Sequence, residues 1–84
     1  MSPGRHRPDD RAVYAEVGAR IRAERTRRGL SGRGLARRAG VSHAHLNHIE
    51  RGIHGLTVAV FLSICDALGA DPAVLLGPTP GDGP

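Results

Sequence analysis

Apolar residues recur at spacings of three and four along most of this chain, which is the pattern of helices that bury one face. Val13, Val17 and Ile21 make the first such stripe, at intervals of four residues. No stretch alternates between apolar and polar residues with the period of two that is typical of a half-buried strand. The pattern therefore predicts an all-α fold.

Residues that favour helix ends divide the chain into five short helices. Asp9 or Asp10 can cap the first helix, and Gly29 ends it. The later helices begin after a capping hydroxyl or carboxylate, and most of them end at a glycine. The predicted caps are Ser31, Ser42, Thr57 and Asp71, and the predicted ends are Gly40, Gly52 and Gly69. Pro72 is also well placed for a first helical position.

The apolar faces of these helices supply one small core. The predicted members beyond the first helix are Leu35, Ala36, Ala39, Leu46, Ile49, Val58, Phe61, Leu62, Cys65 and Leu68. A last turn or short helix carries Val74, Leu75 and Leu76. Residues 1–9 and 77–84 are rich in proline, glycine and charge, which predicts a flexible N-terminal arm and a flexible tail. We expect one folded domain over residues 10–76, a length within the usual range for domains.

Arginine is concentrated in the first half of the chain. The sequence has twelve arginines and no lysine, and eleven of the arginines lie between Arg5 and Arg38. From residue 39 onward there are four acidic residues and one arginine. A basic region of this kind is typical of proteins that bind a polyanion such as nucleic acid, although it can also serve solubility.

Other features of the composition narrow the class of protein further. The single cysteine, Cys65, lies on an apolar face, which favours a buried core residue over a reactive thiol and rules out an internal disulfide. No apolar run approaches the roughly 18 residues of a membrane-spanning helix. The first ten residues also lack the apolar stretch of a signal peptide. We expect a soluble cytoplasmic protein with no membrane contact.

The segment AGVS, residues 39–42, joins the second and third predicted helices. A tight turn of three or four residues that contains glycine is the sequence form of a helix-turn-helix, although other helical corners share it. The turn thus makes the third helix a candidate recognition element.

The third helix, about residues 43–51, has one apolar and one polar side when its residues are placed about 100° apart. Leu46 and Ile49 mark the buried side. The opposite side holds Ala44, Asn47, His48 and Arg51, with His43 on its flank. Asparagine and histidine side chains both donate and accept hydrogen bonds, which suits the base edges exposed in a major groove. The helix is therefore a candidate for reading DNA.

The three histidines of this helix also raise the question of a metal site. His43 and His45 diverge around the helix, whereas His45 and His48 could share an ion. His54 could add a third ligand, but no cysteine is close in sequence. Ligands at this spacing do not favour a metal site, and no nucleophile lies in a catalytic motif. We expect no metal, no cofactor and no enzymatic activity.

Several short stretches together give the chain a specific resemblance. They are Gly29-Leu30-Ser31, Leu35-Ala36, Ala39-Gly40-Val41-Ser42, Ile49-Glu50-Arg51-Gly52 and the closing CDALGADPAVLL. Over about residues 17–76 the sequence resembles the Cro/C1-type (XRE-family) helix-turn-helix domain of phage repressors and bacterial regulators. The resemblance implies a compact five-helix lambda-repressor-like fold with the helix-turn-helix at its centre and the third helix as the recognition helix.

The resemblance also implies roles for individual residues. Those expected to contact bases or nearby phosphates in the groove are His43, Ala44, Asn47 and His48. Those expected to contact the DNA backbone are Ser31, Arg33, Ser42 and Arg51. Arg25 and Glu50 are expected to form a largely buried ion pair between the first and third helices. The sequence departs from the family at Gly32, where a glutamine usually contacts the DNA backbone, and Arg33 is a candidate to replace that contact.

These residues predict sequence-specific binding of double-stranded DNA and a role in transcription regulation. One half-site gives limited affinity, so we expect a homodimer on a near-palindromic operator, with the last helix, Val74 to Leu76, as a candidate dimer surface. Because histidine gains charge near pH 6.5, binding is expected to be tighter and less selective at about pH 6 than at about pH 8. The alternative is a protein-interaction module on the same fold that binds a toxin or another regulator, although the polar third helix lacks the anchors of such an interface.

Overall fold

The computed structural model describes residues 10–53 and 55–77, and within these ranges every regular element is a helix. The helices in chain order are α1 Asp10–Arg27, α2 Gly32–Ala39, α3 His43–Glu50, α4 Val58–Leu68 and α5 Pro72–Leu76. The prediction of an all-α fold with five helices is confirmed, and α2 and α3 form the helix-turn-helix. Residues 1–9, His54 and residues 78–84 lie outside the described part, and with them the predicted arm and nearly all of the predicted tail.

Side-chain caps begin α2, α3, α4 and α5 at the predicted positions, whereas Asp9, one of the two predicted caps of α1, lies outside the described residues. The hydroxyl oxygens of Ser31 and Ser42 accept hydrogen bonds from amides in the first turns of α2 and α3, at 2.9 and 3.0 Å. Thr57 and Asp71 cap α4 and α5 in the same way. Gly40 ends α2 with a φ of 76°, a left-handed conformation that glycine adopts without steric cost. The chain therefore turns sharply between α2 and α3.

One core lies between the helices, with α2 packed on α4 and α1 packed on both α3 and α5. Its buried apolar side chains are Val17, Ile21, Leu35, Ala36, Leu46, Ile49, Phe61, Ile64, Cys65, Leu68 and Leu75. Both helices of the helix-turn-helix contribute to this core, which fixes their positions. Within the described ranges, no helix is long and apolar enough to cross a membrane.

Three residues that were predicted to be buried lie at the surface instead. Val13 is 39% exposed, Leu62 is 49% exposed and Val58 is 75% exposed. On α1, residues 11–16 are all exposed, so the first turns of that helix extend past the core. On α4 the fully buried residue is Ile64. Leu62 lies about 200° away from it around the helix and faces outward.

Candidate nucleic-acid interface

The polar side of α3 lies at the molecular surface. Leu46 and Ile49, on the other side, are buried and fix the rotation of the helix about its axis. The side chains left outside the core are those of His43, Ala44, Asn47, His48 and Arg51, of which His48 is half-buried and the others are exposed. The residues that were expected to contact bases therefore form one outward surface.

A cleft of about 230 Å³ runs along one edge of this surface, between α1, the start of α2 and α3. The outward residues that line it from α3 and its C-cap are His43, Asn47 and Arg51. Their spacing of four places them in one row along the helix. Arg22 of α1 and Gly32 of α2 line the cleft from the other side. Ala44 and His48 do not line it and form the neighbouring row of α3.

The His43 ring lies against the first turn of α2. A Cβ atom placed on Gly32 would be 3.0 Å from Nε2 and 3.3 Å from Cδ2 of His43. An imidazole therefore takes the space that a longer side chain at position 32 would enter. The sequence gives no sign of this contact, because the two residues belong to different helices.

His45 has a role that the sequence analysis did not identify. Its Nε2 atom lies 2.9 Å from the carbonyl oxygen of Gly55, and a ring N–H donated there ties the loop after α3 to the helix. A Cβ atom on Gly55 would lie 2.5 Å from the same nitrogen. His45 thus points away from the cleft and holds the loop, as its divergence from His43 around the helix allows.

Arg25 and Glu50 join α1 to α3 through two hydrogen bonds. Nε of Arg25 donates to Oε2 of Glu50 at 2.8 Å, and Nη2 donates to Oε1 at 3.1 Å. Nη1 donates to the carbonyl oxygen of Leu30 at 3.0 Å. The side chains of Glu50 and Arg25 are 8% and 16% exposed, and the hydrogen bond to Glu50 raises the pKa of Arg25 above its usual value. The pair fixes α3 relative to α1 and to the turn before α2.

Two glycines let α3 come close to α1. A Cβ atom on Gly18 would lie 2.3 Å from the carbonyl oxygen of Ile49 and 2.8 Å from that of Glu50. A Cβ atom on Gly52 would lie 2.5 Å from Cα of Ala15. Neither contact was predicted from the sequence. For Gly18 the available signal was a glycine inside a helix, which costs roughly 1 kcal/mol relative to alanine and often has a packing reason.

The end of α1 is tied to the end of α4 by another group that the sequence analysis did not single out. Arg28 donates from Nη1 to the carbonyl oxygen of Leu68, and from Nε to Oε2 of Glu24 at 2.6 Å. Hydrogen bonds from Arg27 and Arg28 lower the pKa of Glu24 to about 2. The spacings of three and four residues allow both arginines to pair with Glu24. The bond from Arg28 to Leu68 is the one that ties the end of α1 to the end of α4.

The residues that were expected to contact the DNA backbone carry hydrogen-bond donors. Ser31 and Ser42 use their oxygens as caps, and each keeps a hydroxyl hydrogen to donate. Arg33 and Arg51 are exposed, and their guanidinium groups make no ion pair within the part of the chain that the structure describes. Donors and positive charge together suit an anion such as phosphate.

Other chemistry finds little support in the same region. Among the described residues, no three histidine, cysteine or acidic side chains are arranged to hold a metal ion. Cys65 is buried, and its burial raises the pKa of the thiol. A raised pKa disfavours the thiolate that a nucleophile or a metal ligand would need.

A comparison with known protein families matches residues 16–76 to a family described as a helix-turn-helix domain. Among curated proteins, the HTH-type transcriptional regulator RamB of Mycobacterium tuberculosis is 44% identical over 55 residues. The aligned stretch covers 66% of this chain and 12% of RamB. The similarity therefore concerns one small part of a longer protein.

Two solved structures share the arrangement of helices. The restriction-modification controller protein C.AhdI from Aeromonas hydrophila has a TM-score of 0.74 and 31% identity, over 76% of this chain and 97% of its own. The clp gene regulator ClgR from C. glutamicum has a TM-score of 0.74 and 34% identity, over 84% of this chain and 87% of its own. The fold is thus shared with regulators of more than one kind.

Proposed function

Because the chain belongs to the Cro/C1-type helix-turn-helix family, we propose that it binds a specific sequence of double-stranded DNA and regulates transcription. The observation that carries the proposal is the exposed polar side of α3, held in one orientation by the Arg25–Glu50 pair. A helix with small and hydrogen-bonding side chains on its outer side fits the major groove. Such a protein acts in the cytoplasm, on the nucleoid when it is bound to DNA.

The outward side chains of α3 offer distinct contacts in the groove. His48 can donate from one ring nitrogen and accept at the other, as base edges require. Ala44 leaves room for the methyl group of a thymine. Asn47 and His43 hydrogen-bond bases or nearby phosphates, and an asparagine can pair with adenine through two bonds.

Backbone contacts would position α3 in the groove. Ser31 and Arg33 on one side, with Ser42 and Arg51 on the other, present donors to phosphate oxygens. Each neutralised phosphate releases counterions, so affinity should fall steeply as the salt concentration rises. These contacts add affinity and register without selecting a sequence.

We assign homodimerisation to an apolar groove of about 410 Å³ between α1, α4 and α5. Side chains that line it include Val13, Tyr14, Val58, Phe61, Leu62 and Leu76. A second copy of the chain is the proposed occupant, because one half-site gives limited affinity and two copies would contact two half-sites. Two copies would place two α3 helices on half-sites about one helical turn apart, on a near-palindromic operator.

A protein-interaction role is the second candidate, and the same groove favours it. Large exposed apolar patches mark surfaces where proteins associate. The outward side of α3 offers neither an aromatic nor a large aliphatic side chain among the described residues, so a protein partner would bind in the groove and not on α3.

Selection from a pool of random-sequence duplexes at about 0.1 M salt would test DNA binding. We expect wild type to enrich a short palindrome and His48→Ala to lose or relax one position in each half-site, at about 1–3 kcal/mol of discrimination per contact. Binding without an enriched sequence would contradict specific recognition. No binding at all would leave the protein-interaction role, which a pull-down from the native cell would then address.

A further inference from the structure

We infer that the cleft between α1, α2 and α3 binds a phosphate group of the DNA backbone, with Arg22 and His43 among its ligands. The inference rests on the proposed function, because the phosphate belongs to the bound duplex. It assigns His43 to the backbone. Base reading remains with Asn47 and with Ala44 and His48 of the neighbouring row of α3.

The charges that line the cleft favour an anion. Three arginines and one glutamate line it, which leaves an excess of two positive charges. Arg25 is engaged by Glu50 through bonds of 2.8 and 3.1 Å. The guanidinium groups of Arg22 and Arg51 make no ion pair with another described residue. These two guanidinium groups can therefore donate charge-assisted hydrogen bonds to the oxygens of a phosphate bound in the cleft.

Arg22 was not among the residues that the sequence indicated as DNA contacts. It lies on α1, outside the helix-turn-helix, and reaches the interface because α1 packs closely on α3. The close approach at Gly18 and the Arg25–Glu50 pair bring the two helices together. Arg22 is therefore held beside the row of α3 that ends at Arg51.

His43 closes the cleft where α2 begins. Gly32 has no side chain to offer a phosphate, and Arg33 does not line the cleft. The His43 ring fills this space, with Nε2 3.0 Å from the position that a Cβ of Gly32 would take. A ring nitrogen there can donate a hydrogen bond to a phosphate oxygen. His43 thus replaces the side chain that is absent from the first position of α2.

Salt dependence separates a phosphate contact from a base contact. Affinities of wild type, Arg22→Ala and His43→Ala would be measured by fluorescence anisotropy on the selected duplex and on a scrambled duplex. Arg22→Ala should weaken both by the same factor, roughly five- to tenfold at about 0.1 M salt, and reduce the slope of log affinity against log salt by about one. His43→Ala should also weaken both duplexes equally and leave the selected sequence unchanged.

Arg38→Ala is the matched control, because Arg38 is exposed on α2 and does not line the cleft. It should change affinity by less than about twofold. If Arg22→Ala behaves like Arg38→Ala, the cleft is not a phosphate site. If His43→Ala relaxes one base position while the salt slope stays unchanged, His43 reads a base and the assignment fails.

The outcomes also separate this inference from the proposed function. Wild type that binds duplexes without selecting a sequence would contradict specific recognition, yet the salt slopes on a random duplex would still decide whether the cleft holds a phosphate. Wild type that binds no duplex would overturn both.

Gly32→Ala tests the contact between Gly32 and His43 directly. The added methyl must displace the His43 ring by a few tenths of an ångström or more, so affinity should fall in the wild-type background. In a His43→Ala background the same change should have little effect, because no ring remains to be displaced. Equal losses in the two backgrounds would show that position 32 acts independently of His43.

Discussion

His43, His45 and His48 lie within a stretch of six residues, yet the fold gives each a different environment. The ring of His43 rests against Gly32, and His45 is bonded to the carbonyl oxygen of Gly55. His48 lies in the outward row of α3. Successive positions of a helix are about 100° apart, so neighbours in sequence do not converge as metal ligands must. At the scale of residues, the three histidines therefore have three separate environments.

Loss of the Glu50 carboxylate should harm folding before it harms DNA binding. Glu50→Ala would leave the largely buried guanidinium of Arg25 without its partner, which typically costs about 3–5 kcal/mol in the free energy of unfolding. Urea unfolding followed by circular dichroism would measure the loss. Glu16→Ala is the matched control, since Glu16 pairs with Arg20 at the surface and its side chain is 54% exposed. The control should lose less than about 1 kcal/mol, and equally small losses in both variants would contradict a structural role for the buried pair.

At the scale of helices, the boundaries could be predicted from sequence because each depends on a few neighbouring residues. The Ser42 cap and the left-handed Gly40 are local features of this kind. The buried side of a helix depends on distant neighbours instead. Leu62 and Ile64 are both apolar and differ by two positions, so the sequence alone does not decide which of them faces the core. Packing buries Ile64 fully and leaves Leu62 in the apolar groove.

The contact between α1 and α3 should not tolerate a single added methyl group. In Gly18→Ala the new Cβ would lie 2.3 Å from the carbonyl oxygen of Ile49, which cannot yield unless α3 itself moves. We expect a net loss of about 1–3 kcal/mol in the free energy of unfolding, although alanine favours a helix by roughly 1 kcal/mol. A displaced α3 should also weaken DNA binding.

Thermal unfolding of Gly18→Ala beside Gly32→Ala would check this prediction. The methyl group of the control meets only the end of the flexible His43 side chain, so its Tm should stay unchanged or rise slightly. An unchanged or higher Tm in Gly18→Ala would contradict the close contact between Gly18 of α1 and the carbonyl oxygen of Ile49 in α3.

At the scale of the whole molecule, the two candidate interfaces lie on different surfaces. The phosphate cleft is lined by α1, α2 and α3, and the apolar groove by α1, α4, α5 and the loop before α4, with no residue in common. The outward side of α3 could be predicted from sequence because it follows from Leu46 and Ile49 alone. The cleft could not, because it joins side chains from three helices. Separate surfaces allow one copy to contact DNA and a second copy at the same time.

Dimerisation should therefore be separable from DNA contact by a substitution in the groove. Leu62 is 49% exposed and lines the groove, so Leu62→Glu would place an unpaired carboxylate in an apolar interface, at a cost of several kcal/mol. By sedimentation we expect wild type to be dimeric and Leu62→Glu monomeric. The variant should bind a palindromic duplex much more weakly, with its affinity for a single half-site within about twofold of wild type.

Ala59→Glu is the matched control for the added negative charge. Ala59 is exposed on the same helix and does not line the groove. The control should dimerise and bind like wild type. If Leu62→Glu remains as dimeric as Ala59→Glu, the dimer surface lies elsewhere on the molecule. Wild type that stays monomeric at concentrations where it binds DNA would contradict the homodimer itself. In that case a second copy would not be the occupant of the groove. A protein partner would become the best candidate, because the groove is an exposed apolar surface.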